Sequence, residues 1–121
     1  MIDHLSLPLQ DLEQGMDFYL KALEPLDIYL IFQFPHTVAL GKWGKPAFWL
    51  SQAKGPSQPI HLAFAAETRE QVDQFYDAAL AAGGRDNGRP GIREDYHPNY
   101  YGAFILDPDG NNIEAVCHRA E

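Results

Sequence analysis

Two histidines stand at matching points of a repeat. His4-Leu5 recurs as His61-Leu62, and at the same offset of 57 residues Glu13-Gln14 matches Glu70-Gln71, Phe18-Tyr19 matches Phe75-Tyr76, and Ala22-Leu23 matches Ala79-Leu80. Over residues 4–23 and 61–80, eight of twenty positions are identical. Unrelated segments would share roughly one, so the chain reads as an internal duplication. Imidazole changes charge near neutral pH, binds metals and moves protons, so a duplicated histidine is the first place to look for chemistry. A lone histidine in a strand is more often a satisfied structural residue. What changes the weighing is the pairing of two such residues with a carboxylate, Glu114, on a strand that can share their face.

The elements around these residues follow from periodicity. Residues 2–9 alternate, with Leu5, Leu7 and Leu9 on one side and Ile2, His4, Ser6 and Pro8 on the other, the period of two that marks a strand. Asp11 with Gln14 three positions on resembles a capping box, and Leu12, Met16, Tyr19 and Leu23 fall at helical spacing before Pro25. Residues 28–34, 37–42 and 46–51 read as three short strands. The second half repeats this order: a strand at about 59–66, a helix from Thr68 to Ala82 stopped by Gly83-Gly84, a weak strand at Gly91 to Asp95, then strands at Tyr101 to Leu106 and Asn111 to His118. Asp107-Pro108-Asp109-Gly110 between the last two has the chemistry of a tight turn.

Each half is therefore βαβββ, at about 1–55 and 58–121, and the fold class is α+β. One helix covers one face of a four-stranded sheet, so two such modules would join most economically into a curved eight-stranded sheet, helices outside and a cleft within. The leucines of the first strand must face the helix, which turns His4 toward the cleft. His61 lies beside Ala63 and Ala65, and Glu114 alternates with Ile113 and Ala115, so all three point into it.

Composition narrows the function classes. The 121 residues carry a net charge of −8 with no basic run, which argues against nucleic acid as a partner. No stretch approaches the roughly 20 apolar residues of a membrane helix, and Met-Ile-Asp-His is unlike a signal peptide, so a cytoplasmic location is expected. The single cysteine, Cys117, reads as packing. The Asp107, Asp109 and Glu114 spacing does not meet that of a calcium loop. Phe32, Phe34, Phe48 and Trp49 are expected to fill a core, and His36 and His118 to lie on the surface.

The whole chain resembles the vicinal oxygen chelate superfamily, which includes glyoxalase I, extradiol dioxygenases and bleomycin-resistance proteins. The resemblance is carried by His4 in an opening strand followed by Asp-Leu-Glu and Phe-Tyr on a helix, by His61-Leu-Ala-Phe, and most specifically by Asp107-Pro-Asp-Gly-Asn-Asn-Ile-Glu114. It implies a cupped sheet around a divalent metal (Fe, Mn, Zn, Ni or Co) held by His4, His61 and Glu114. The fourth ligand position of glyoxalase I-like members falls in Ala47-Phe48-Trp49-Leu50, where no strong ligand is present, leaving two histidines and one carboxylate. Acid/base groups beside such a metal would come from the segment 96–101, with His97 and Tyr100 as catalytic candidates; otherwise the segment is a polar loop.

Two functions follow. One is a metal-dependent enzyme of glyoxalase or dioxygenase type, acting on a small oxygen-bearing substrate that chelates the ion. The other is a metal-free binding protein of bleomycin-resistance type. Because family members often assemble the cleft across a dimer interface, a homodimer is expected.

Overall fold

The structure is a computed structural model and describes residues 1–120. Strand β1 (Leu5–Leu9) leads into helix α1 (Leu12–Leu23), then β2 (Tyr29–Gln33), β3 (Thr37–Lys42) and β4 (Lys45–Gln52); β5 (His61–Ala65), α2 (Arg69–Ala81), β6 (Arg85–Ile92), β7 (Tyr101–Leu106) and β8 (Asn112–Cys117) repeat the pattern. The α+β architecture of two βαβββ modules is thus as the sequence implies. Backbone pairing stays within each module. One sheet has the order β1-β4-β3-β2 and the other β5-β8-β7-β6, so β1 and β5 each form an edge.

The helices start where their caps place them. The Asp11 carboxylate accepts from the Gln14 N–H at 3.0 Å, and Thr68 with Gln71 forms a full capping box. Pro25, in a short 3-10 turn over Glu24–Leu26, ends the first helix, and Gly83, at φ 102, ends the second.

A single apolar core runs through both modules. Leu7, Leu9, Phe18, Leu40 and Leu50 from the first half meet Phe75, Ala79, Ile105 and Ile113 from the second. Phe48 and Phe64 touch edge to face with centroids 5.2 Å apart, joining the core sides of the two sheets. The buried Tyr19 hydroxyl donates to Asp107 at 2.5 Å. Asp107 also accepts from the Asp109 and Asn111 backbone N–H groups and the Asn111 amide, so the Asp-Pro-Asp-Gly turn clamps helix α1 onto the second module. No helix among the described residues is long and apolar enough to cross a membrane.

Three local expectations change. The weak strand at 91–95 is instead β6 over Arg85–Ile92; its register shifts at Gly88 and toward Gly91, and Arg-Asp-Asn-Gly-Arg-Pro-Gly shows no apolar alternation by which to recognise it. The first strand begins at Leu5, so His4 precedes the ladder instead of lying within it. Phe32 and Phe34 are not core residues: about half of each is exposed, Phe32 on the edge strand β2 and Phe34 just after it, while Phe48 is buried as expected.

Candidate functional site

The register of three strands builds a site around Glu114. Glu114 stands opposite Ala63 on β5 and Phe104 on β7, while its neighbours Ile113 and Ala115 enter the core, so its carboxylate projects from the sheet face away from the helices. It is nevertheless 1% exposed. His61 covers it from β5, the Phe104 ring lies stacked against that imidazole at 6.0 Å, and Tyr100 closes over it from the loop before β7. Gly102 makes room for this: a Cβ there would come within 3.1 Å of Glu114 Oε2 and 3.2 Å of the Tyr100 ring.

The hydrogen bonds fix the orientation of each group. His61 Nδ1 lies 3.0 Å from the Asn112 carbonyl oxygen, which can only accept, so Nδ1 carries a proton and donates it. In the neutral ring Nε2 then presents a lone pair, and it faces Glu114 Oε1 at 3.1 Å. Two lone pairs cannot remain so placed beside a carboxylate that is itself buried. A proton or a cation must lie between them. Glu114 Oε2 is turned the other way and accepts from the Tyr100 hydroxyl. Partial burial, that hydrogen bond and the glutamate charge together push the Tyr100 phenol well above its ordinary value, keeping it a neutral donor.

Such a pair, closed by a proton in a hydrogen-bonded His–Glu contact, can also supply two ligands to a metal ion. A coordinating histidine ordinarily donates its other ring N–H to a carbonyl or carboxylate, as His61 does to Asn112. Two donors each about 2.1 Å from one ion and at right angles stand about 3 Å apart, close to the observed separation. His61 and Glu114 therefore fit a divalent ion.

His4 does not join them within the chain. Its side chain is 58% exposed and its Nδ1 contacts Asp3 at 2.8 Å. No three His, Cys, Asp or Glu side chains gather around a common point among the described residues. In a single copy Glu114 thus meets His61 and not His4, β1 and β5 being edges of separate sheets. The vacant fourth ligand position can now be identified. Trp49 lies opposite Ser6 as Glu114 lies opposite Ala63, and Trp49 carries no donor of lone pairs.

Of the two acid/base candidates, Tyr100 touches Glu114 directly and His97 does not. His97 is exposed and its Nδ1 accepts from the Asn99 N–H at 2.9 Å. Its ring meets the edge of His118, with centroids 5.8 Å apart, and His118 in turn packs on Tyr100 at 5.2 Å. His118 lies on the surface, as expected, yet beside Tyr100. The signal that places it here is its alternation with Glu114 and Val116 along the last strand. Arg93, lying over the Phe104 ring at 5.4 Å, brings a positive charge to the same face.

Comparison with known proteins agrees with this architecture. The chain is 30% identical to the uncharacterized protein YqjT of Bacillus subtilis (strain 168), over 94% of this chain and 96% of the relative. It resembles the crystal structure of a glyoxalase/bleomycin resistance protein from Albidiferax ferrireducens T118 with a TM-score of 0.81 and 29% identity, covering 96% of this chain and 97% of that one. A glyoxalase/bleomycin resistance protein/dioxygenase family enzyme from Burkholderia phytofirmans PsJN shares the fold, with a TM-score of 0.76 and 20% identity over 98% of each chain. Residues 1–115 match the family profile, and the chain belongs to the Glyoxalase/Bleomycin resistance protein/Dioxygenase superfamily.

Proposed function

We propose that the protein is a divalent-metal-dependent enzyme of glyoxalase or dioxygenase type, active as a homodimer, in which His61 and Glu114 of one copy and His4 of a second hold the ion. The observation that carries this reading is the His61–Glu114 pair, whose Nε2 and Oε1 lone pairs meet at 3.1 Å with the imidazole locked by Asn112. When bound, Fe, Mn, Zn, Ni or Co would act as a Lewis acid toward two oxygens of a small chelating substrate. The chain's own residues prepare the place. Tyr100 donates its one phenolic proton to Oε2, so that Oε1 is left for the ion. His118 packs edge-on against Tyr100 and His97 against His118, bounding the site on that side.

A second copy is supported by what one copy leaves uncovered. Tyr29, Phe32 and Phe34 expose about half their side chains along one edge, and both β1 and β5 have a free edge.

A metal-free binding protein is the second reading. It is favoured by Trp49 in the fourth ligand position, stacked with Phe32 at 6.5 Å, a surface better suited to a flat ligand than to an ion. Mixing two inactive variants separates the readings. His4→Ala and Glu114→Ala homodimers should each bind a divalent ion poorly, whereas mixed dimers contain one intact site and should recover up to half the wild-type capacity. Recovery to nothing above the separate variants contradicts the shared site. Wild-type protein that takes up no ion moves the assignment to the binding protein.

A further inference from the structure

Apart from the Glu114 site, the molecule holds an apolar pocket of about 390 Å³ whose wall is formed by Leu5, Leu40, Phe48, Leu62 and Phe64. These are core-side residues of both modules, and Asp3, His4 and Ala47 line the pocket beside them. Its size falls in the range of small-molecule sites.

Two cations, with the Asp3 carboxylate beside them, line this pocket in an otherwise acidic protein. Lys42 and Lys45, half of the four lysines in the chain, both line it. They face each other across the β3–β4 hairpin as directly paired residues, an arrangement that costs stability through like-charge repulsion. Their acidic partners are loosely held: Glu67 lies 3.6 Å from Lys42, and Asp3 4.0 Å from Lys45. The turn between them, Trp43-Gly44, has φ 54 and 72, the left-handed pair of a tight hairpin turn. Glycine suits that conformation and tryptophan does not. Trp43 is 90% exposed, with the Lys42 ammonium 4.9 Å from its ring, so no burial offsets the strain. Backbone strain, paired cations and an exposed aromatic thus coincide at the mouth of an apolar cavity.

We propose that this pocket binds a small apolar carboxylate, with its hydrocarbon body against Leu40, Phe48, Leu62 and Phe64 and its anionic end between Lys42 and Lys45. The anion removes the repulsion between the two lysines, and the indole of Trp43 covers the entrance. The pocket shares His4 with the proposed ion site but uses none of His61, Glu114 or Tyr100, so the carboxylate is bound by contacts the ion does not make.

The probe is decanoate below its micelle concentration, titrated by calorimetry and followed by methyl NMR. Decanoate should bind at one site per chain and shift the methyl signals of Leu5, Leu40 and Leu62. Lys42→Glu combined with Lys45→Glu, at a partly covered and an exposed position of the hairpin, should weaken it at least tenfold and should favour decyltrimethylammonium instead. Equal binding of decanoate and decyltrimethylammonium by the wild-type protein would overturn the proposal, as would unchanged affinity in the double variant, absence of decanoate binding, or methyl shifts confined to the Glu114 face. Decyl phosphate is the remaining arm; if it binds more than tenfold tighter than decanoate, the carboxylate assignment fails.

Discussion

Trp49 occupies in the first module the place that Glu114 occupies in the second. Each lies opposite the second residue after the repeated histidine, Ser6 for Trp49 and Ala63 for Glu114. The duplication has therefore diverged at the position that matters most for an ion: one copy offers a carboxylate held by Tyr100, and the other offers an indole stacked on Phe32. In a dimer with a shared site, Trp49→Glu would supply a further anionic ligand. Divalent-ion affinity should rise at least tenfold, about 1.4 kcal/mol, in a direct titration against wild type. Unchanged affinity would show that the Trp49 face does not look onto the ion.

Site and scaffold are separable. His61 is about half exposed and stands beside Ala63 and Ala65, so His61→Ala should remove ion binding while the apo protein unfolds at nearly the wild-type urea midpoint. Phe75, fully buried between α2 and the sheets, gives the opposite result. Phe75→Ala should cost about 3–5 kcal/mol through lost burial and the cavity left behind. If His61→Ala proves as destabilising as Phe75→Ala, His61 is a structural residue.

Alkaline pH should expose the clamp between the modules. Burial, with the Asp107 charge and hydrogen bond behind it, raises the Tyr19 phenol far above its ordinary value of 10.0. The unfolded chain gives up this proton near pH 10 and the folded chain keeps it, so the stabilisation is complete below about pH 10 and is lost as pH rises beyond it. Tyr101, raised to about 12 by partial burial and its hydrogen bond to Asp73, acts in the same direction. The urea midpoint should fall as pH rises above about 10. Tyr19→Phe should be less stable at neutral pH by about 1–3 kcal/mol, since buried Asp107 loses a donor, yet should lose less on alkalinisation. A Tyr19→Phe midpoint that falls as steeply as wild type would place the alkaline loss elsewhere.

Much of this was legible in the sequence because the signals are local. The capping residues Asp11 and Thr68, the stop at Gly83-Gly84 and the period-two strands are set within a few residues of where they act. The facing of His61 and Glu114 followed from alternation alone. What the sequence hid is tertiary. Strand β6 is irregular and polar, recognisable only through its pairing with β7. The exposure of Phe32 and Phe34 depends on β2 being an edge, which periodicity does not reveal. The separation of His4 from His61 depends on which edges meet, and His118 joins Tyr100 only because the 93–100 loop folds back over the last strand. The family-specific Asp107-Pro-Asp-Gly run proved to be a mechanical clamp, its aspartate spent on Tyr19 and Asn111.

The account rests on one claim, that the lone pairs of His61 Nε2 and Glu114 Oε1 converge on a cation. Its most direct test is a titration of untagged, chelator-stripped protein with Mn(II) and Zn(II), comparing wild type with Glu114→Gln. Glutamine keeps an acceptor for the Tyr100 hydroxyl and can donate its amide N–H to His61 Nε2, so the apo fold should survive with no proton or ion needed between the two residues. Wild type should take up one ion per chain and release protons as it does so, and Glu114→Gln should bind at least tenfold more weakly at an unchanged apo urea midpoint. Wild-type uptake well below one ion per chain, or equal affinity in the two proteins, would contradict the claim.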